Sequence, residues 1–192
     1  VALIEAVEKS GRDVSSIKRI MSGGSMVPPE LVRKAQAVFG SVIQIVYGQT
    51  EASPVITQTR HDDSFEDLCG TIGSPLDDVE VSIRDVATGA VMPIGAQGEI
   101  CARGYLIMEG YNDGWLHTGD LGRMDERGFL KITGRVKEMI IRGGENLFPA
   151  EIENALLEHE AILEIAVVGV PDEKWGEQVA CFMRAKGTTR PS

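Results

Sequence analysis

Several things are scarce in this sequence, and each scarcity excludes something. Cysteine is rare: Cys69, Cys101 and Cys181 are the three in 192 residues. They stand far apart, with no Cys-x-x-Cys pair and no Cys/His ligand spacing, which argues against a zinc site and suits a reducing, cytoplasmic compartment. Positive charge is also short. Lys plus Arg total 19 against 29 for Asp plus Glu, a formal net charge of -10. That balance excludes a sequence-independent grip on nucleic acid or anionic lipid, which both need a positive surface. Local anion sites made from backbone amides or a single arginine stay open. No apolar run is long enough to span a membrane. The chain opens at Val1 with neither an initiator Met nor a signal-type segment, so the expectation is a chain cut from something longer. What is present is apolar material for a core, 43% of residues, in a length that suits one domain or parts of two.

Along the chain, Ala2–Glu8 reads as the end of a helix and Lys18–Met21 as a short strand running into Ser22-Gly23-Gly24-Ser25. Pro28 and Pro29 start a helix with Leu31, Ala35 and Val38 on one face. Val42–Tyr47 is a β-branched run closed by Gly48, the pattern of a buried strand. Strand, loop, helix and strand in that order make a βαβ-like unit. From about residue 60 the texture changes to short strands (Glu80–Arg84, Glu99–Arg103, Phe129–Thr133) between Gly, Pro and Asp turns, a compact β subdomain. After Gly134 comes an α+β segment. Lys137–Ile141 reads as a strand, Gly143-Gly144 as a turn, and Pro149 as the start of a helix with Ile152, Ala155 and Leu156 inward. Ile165–Val170 reads as a buried strand pairing with Val179–Arg184. The fold class expected is mixed α/β and α+β: residues 1–136 end a large α/β domain that includes the β subdomain, and residues 137–192 begin a truncated small domain.

Five short stretches carry candidate chemistry. Tyr47-Gly48-Gln49-Thr50-Glu51 follows the buried strand, where open α/β sheets gather their ligands. A Tyr ring offers a face to a purine, a Thr hydroxyl can bond phosphate, and a Glu carboxylate is a hard ligand for Mg²⁺. The same residues also fit a strand, a turn and a Glu at a helix start. In His117-Thr118-Gly119-Asp120, an ionised Asp can accept from both hydroxyls of a ribose, or can close a tight turn. Gly134-Arg135-Val136-Lys137-Glu138 sits where the β subdomain gives way to the last segment, a place for a pivot or simply a solvated charged face. Arg142-Gly143-Gly144-Glu145-Asn146 permits close approach of a ligand, or is a plain hairpin turn. Ser22-Gly23-Gly24-Ser25 could lay bare backbone beside a base, but no Lys-Ser or Lys-Thr follows, so it is not a P-loop.

Their order decides more than any one of them. From about Val14 to about Arg184 the chain resembles the superfamily of acyl-CoA synthetases, peptide-synthetase adenylation domains and luciferases. The resemblance runs through the stretches above, through Gly98-Glu99-Ile100, Met108-Glu109-Gly110-Tyr111 and Gly114-Trp115-Leu116, and on to Pro149-Ala150-Glu151-Ile152-Glu153 and Val168-Gly169-Val170-Pro171-Asp172. It implies an AMP-forming ligase, with a carrier-protein-loading adenylation domain or a non-catalytic nucleotide-binding homologue as the alternatives. A carboxylate, here a fatty acid, attacks the α-phosphate of Mg-ATP, and the thiol of CoA then displaces AMP. It implies that Gly24, Ser25 and Met26 line the adenine side, that Tyr47 stacks on the base with Gly48 and Gln49 beside it, and that Thr50 contacts phosphate. By the same resemblance Glu51 binds Mg²⁺, Asp120 holds the ribose diol with Arg135 nearby, Lys137 is the hinge, and Gly144 lines the CoA channel. The partners implied are small molecules (the acid, ATP and CoA), with a homo-oligomer left open.

Three departures qualify the resemblance. The phosphate loop is expected upstream of Val1. The adenylation lysine is expected downstream of Ser192, because Lys186 lacks its Pro-x-Thr-x-x-Gly-Lys context. The isolated chain is therefore expected to turn over little or not at all. Between Gly110-Tyr111 and Gly114-Trp115 the family carries a polar loop of about a dozen residues, beyond the usual connection length, where only Asn112 and Asp113 stand here.

Overall fold

A computed structural model describes residues 2–24, 27–109 and 113–186. After helix α1 (Ala2–Ser10), strand β1 (Arg19–Gly23), helix α2 (Pro29–Phe39) and strand β2 (Val42–Tyr47) form the expected βαβ unit. β1 and β2 are parallel, with Gly23 opposite Val46. Parallel neighbours need a crossover, and α2 supplies it, starting on a proline that fits the first helical turn. Its buried face is Val32, Ala35 and Phe39, packed on Ile43 and Ile45 of β2 and Ile4 of α1. The expected Leu31 and Val38 only flank that face, which is centred one residue further along. Two short strands, β3 (Thr57–Gln58) and β4 (Ser74–Pro75), complete the sheet in the order β1-β2-β3-β4, with helix α3 (Phe65–Gly70) between them.

The second sheet is an antiparallel meander of β5 (Val79–Arg84), β6 (Gly98–Gly104), β7 (Leu116–Met124) and β8 (Leu130–Arg135). Its inner face contributes Val79, Ile83, Ile100, Ala102, Leu116 and Leu130 to a core that Tyr47, Ala52 and Ile56 enter from the end of β2. Burying side chains of this size stabilises by roughly 1.5–3 kcal/mol each, so this cluster is what clamps the β subdomain onto the end of the first sheet. Backbone bonds lace the joint: Ile72 donates to Leu130 and Leu130 to Gly73 at 2.8 and 2.9 Å. β7 has no counterpart among the expected strands. Thr118-Gly119-Asp120 reads as a turn, but the structure absorbs it as a bulge within a nine-residue strand.

The last segment differs from expectation in three places. Val136–Glu138 is a turn of 3₁₀ helix, and the strand starts only at Ile140 (β9, Ile140–Arg142), because the Met139 amide bonds back to Val136 instead of crossing to a neighbour. Helix α4 (Pro149–Leu157) begins at its proline as expected but buries nothing completely: Ile152 and Leu156 are half-covered and Ala155 is exposed. β11 (Ile162–Asp172) and β12 (Gly176–Ala185) pair antiparallel as expected, yet only Ile162 and Val167 of β11 are buried. This sheet, in the order β10-β9-β12-β11 with β10 at Glu145–Leu147, meets α4 with one face only, so alternate residues such as Leu163, Val168 and Phe182 remain exposed. No described helix is long and apolar enough to cross a membrane.

Candidate functional site

The carboxyl ends of β1 and β2 are neighbours through the parallel register, so Gly23 lies opposite Val46, next to Tyr47 in the chain. Gly48 is there for space: a Cβ would overlap the backbone of Pro54 and Ile56, where the chain folds back on itself. Thr50 and Glu51 open a short 3₁₀ turn, Thr50 exposed and Glu51 half-buried. The Glu51 carbonyl accepts from the Met108 amide at 2.9 Å, while its carboxylate has no hydrogen bond or ion pair among the described residues. A hard, unpaired carboxylate suits a Mg²⁺ ligand.

Tyr47 and Asp120 are 73 residues apart and meet directly. The Tyr47 hydroxyl donates to Asp120 Oδ2 at 2.8 Å, and Arg135 Nε lies 3.1 Å from Asp120 Oδ1. The Tyr47 ring is 9% exposed, and burial pushes its phenol well above the ordinary tyrosine range, so it stays a proton donor. Asp120 and Arg135 face each other across β7 and β8. An ionised carboxylate has about four acceptor positions, and Tyr47 and Arg135 occupy one each. The remainder fit a vicinal diol.

Asp120 owes its place to the bulge. Glu99 pairs with Leu121 and Cys101 with His117, so Thr118, Gly119 and Asp120 stand opposite Ile100 alone. Side chains replace the interrupted ladder. The Thr118 hydroxyl donates to the Ile100 carbonyl at 2.7 Å and accepts from the Asp120 amide at 3.1 Å, and the Gly119 amide donates to Glu99 Oε1 at 3.0 Å. Gly119 sits at φ +73°, a conformation that penalises any other residue. Bulges of this kind re-aim a side chain. Glu99 Oε2 accepts from His117 Nδ1 at 2.7 Å, and Asp113 Oδ2 lies 3.1 Å from His117 Nε2. Glu99 foremost, then Asp113, holds the imidazole above its usual range. Cys101 Sγ, 3.5 Å from Nδ1, completes a trio whose ligand atoms lie within 4.8 Å of one another. Burial pushes that thiol up to about 12, so it stands as a neutral thiol beside the His117–Glu99 pair.

Of the other expected site residues, Gly24 follows β1 and is exposed, Lys137 is exposed on the 3₁₀ turn between β8 and β9, and Gly144 lies exposed in the β9–β10 turn. Ser25, Met26 and the Gly110–Asn112 connection lie outside the described residues. Glu99, Thr118 and His117 stand within the motifs, but the sequence assigns none of them a role. A signal was available for Glu99: an acid beside the apolar run Ile100-Cys101-Ala102 must find a partner if it is sheltered.

The AMP-binding enzyme family matches residues 2–112, over half of the chain. The chain belongs to that family. Residues 151–191 match the AMP-binding enzyme C-terminal domain. Among AMP-binding relatives, the mitochondrial medium-chain acyl-CoA ligase of Mus musculus is 39% identical over 202 residues, covering 97% of this chain and 32% of that protein. The medium/long-chain-fatty-acid–CoA ligase of Mycobacterium tuberculosis is 41% identical over 195 residues, covering 95% and 34%. Among solved structures, o-succinylbenzoate CoA synthetase of Bacillus subtilis in complex with its acyl-adenylate intermediate gives a TM-score of 0.76 at 33% identity, covering 98% of this chain and 40% of that one. The chain spans about a third of the length of the curated relatives it matches.

Proposed function

We propose that this chain is the part of an ATP-dependent acid–CoA ligase that holds the nucleotide's ribose and carries the hinge. The supporting observation is the Tyr47–Asp120–Arg135 constellation, which leaves a half-sheltered carboxylate with acceptor positions to spare at the carboxyl end of β2. In the first half-reaction a carboxylate oxygen attacks the α-phosphorus of ATP and pyrophosphate leaves. In the second, the CoA thiolate attacks the acyl carbonyl and AMP leaves. Such phosphoryl chemistry depends on positioning and charge neutralisation, and Mg²⁺ supplies part of that neutralisation when bound. Asp120 accepts from the ribose hydroxyls, Arg135 steadies Asp120, and Tyr47 fixes its other oxygen and stacks on the base. Gly24, Ser25 and Met26 with Gly48 and Gln49 border the base, Thr50 meets phosphate, and Glu51 holds the metal. Lys137 is the pivot of the small domain, the boundary of the two units falling at residues 136 and 137, and Gly144 borders the thiol's approach. The acid is a medium- or long-chain fatty acid, in line with the substrates named for the two relatives. No residue of this chain is assigned the role of adenylation lysine.

The test is AMP release by the enzyme that carries this chain at full length, given ATP, Mg²⁺ and octanoate, with and without CoA. CoA-dependent AMP release with octanoyl-CoA formed is the expected result. Release indifferent to CoA refutes the thiol acceptor, and no release across a broad panel of acids refutes the ligase. Asp120→Ala should lower kcat/KM for ATP by about 10- to 150-fold, the scale of 1.5–3 kcal/mol for hydrogen bonds to a charged group. An unchanged value removes Asp120 from the ribose.

A further inference from the structure

Asp120 is held by its neighbours at its carboxylate and pairs with Arg135 of β8, but on the β6 side the segment that carries it has its ladder interrupted. Opposite the bulge, Ile100 offers a single carbonyl, and the Thr118 hydroxyl takes it. The Gly119 amide is thus left without a backbone acceptor in β6, and Glu99 Oε1 is the group that receives it. Glu99 is itself fixed. Its side chain is 12% exposed, and its other oxygen is tied to His117, whose far nitrogen is tied to Asp113. A continuous run of hydrogen bonds therefore goes from Asp113 through His117 and Glu99 to the amide immediately before Asp120.

Resting on the nucleotide-site reading above, we propose that Glu99 is a positioning residue: it holds the Thr118–Gly119–Asp120 bulge in the one shape that presents the Asp120 carboxylate between Tyr47 and Arg135. Glu99 does not touch the nucleotide. A side chain serves here because the pairing on either side, Glu99 with Leu121 and Cys101 with His117, is out of step by the length of the bulge, and Glu99 Oε1 is the acceptor that the Gly119 amide finds. A sheltered amide left without its acceptor is penalised, so losing Glu99 makes the bulge turn toward another partner and takes Asp120 with it. A carboxylate suits the place because each of its oxygens serves one donor, the Gly119 amide and the imidazole. Glutamine can imitate both contacts, its carbonyl accepting from Gly119 and its amide donating to a neutral His117 nitrogen. Alanine can imitate neither.

The experiment uses the enzyme that carries this chain at full length (the unaltered chain), with AMP as the probe. The AMP dissociation constant is measured by calorimetry, and the Asp120 carboxyl and Gly119 amide resonances are followed by NMR. Glu99→Ala is expected to weaken AMP by about tenfold or more, the scale on which small misplacements of binding groups are felt, to move the Asp120 carboxyl resonance, and to speed exchange of the Gly119 amide. Glu99→Gln is expected to restore AMP binding close to that of the unaltered chain. AMP binding and an Asp120 resonance both unmoved in Glu99→Ala overturn the proposal, as does failure of Glu99→Gln to restore what Glu99→Ala loses while both variants melt like the unaltered chain. Should Glu99→Ala not fold, a through-hydrogen-bond coupling between the Gly119 nitrogen and the Glu99 carboxyl carbon in the unaltered chain decides, and its absence overturns the proposal. If the unaltered chain does not bind AMP, the nucleotide-site reading fails for this chain, and the Asp120 resonance alone judges the role of Glu99. If Asp120→Asn abolishes AMP binding and Glu99→Ala leaves it intact, the nucleotide site stands and Glu99 is not its positioner.

Discussion

Tyr47→Phe removes one atom from the centre of the candidate site and leaves the packing alone. The ring stays in the core between the two sheets, 9% exposed, and only the hydroxyl that donates to Asp120 Oδ2 at 2.8 Å is lost. A hydrogen bond to a charged acceptor contributes roughly 1.5–3 kcal/mol. The lower end applies, because Arg135 still faces the other oxygen at 3.1 Å and keeps the carboxylate compensated. About 1.5 kcal/mol in a chain of this size shifts melting down by roughly 3–6 °C. The informative assay is a double-mutant cycle of Tyr47→Phe and Asp120→Asn in denaturant, since contacting groups show interaction energies of about 0.5–3 kcal/mol. Burial keeps the phenol protonated, so the coupling should be the same at pH 6 and pH 8. Strict additivity of the two substitutions would refute a direct bond between the hydroxyl and the carboxylate. A coupling that vanishes at pH 8 would refute the donor role given to Tyr47.

Other substitutions probe other levels. Gly48→Ala should destabilise by about 1–3 kcal/mol or more, as overpacking does, since the new Cβ meets backbone atoms of Pro54 and Ile56 rather than a movable side chain; an unchanged denaturant midpoint would contradict that. His117→Gln bears on pH. Glu99 and Cys101 of β6, Asp113 of the preceding segment and Arg84 of β5 are the charged or titratable groups around the ring and its thiol neighbour. Because Glu99, then Asp113, raises the folded imidazole above 6.5, its contribution to stability is complete below that value and is lost as pH rises through the folded pKa. The melting advantage of the unaltered chain over His117→Gln should therefore be larger at pH 6 than at pH 9, and the opposite order would show that the carboxylates do not favour the protonated ring. Glu51→Gln, in the full-length enzyme, should raise the Mg²⁺ concentration needed for half-maximal AMP release; an unmoved Mg²⁺ dependence takes the metal away from Glu51.

What could be read from the residues follows from what local sequence encodes. Val42–Tyr47 is recovered with both of its ends, because a β-branched run closed by glycine has few other uses. The β11–β12 pairing is legible too, but its burial is not. Val167 and Val168 look alike in sequence, and only the one-sided packing on α4 leaves the first buried and the second exposed. β7 escapes because Thr118-Gly119-Asp120 has turn chemistry, which a bulge uses as readily as a turn does. The meeting of Tyr47 with Asp120 is absent from spacing altogether. The motifs' order placed both near a nucleotide, and the core formed by Ile56, Ile100 and Leu130 is what brings them within a hydrogen bond. Glu99 was quoted only as part of Gly98-Glu99-Ile100, because its partner depends on a register shift that no local pattern announces.

Arg135 looks two ways. Its Nε pairs with Asp120, and the same residue lines a cleft of about 310 Å³ that β8 makes with Phe148 and Pro149 at the start of α4 and with Val167 of β11. Lys137 lies just beyond it on the chain. With Lys137 as the proposed pivot, a rotation of the terminal unit would carry the wall made by Phe148, Pro149 and Val167 away from Arg135, the residue that also pairs with Asp120. On the proposed roles, one side chain would then border both the carboxylate that faces the ribose and the joint on which the small domain turns.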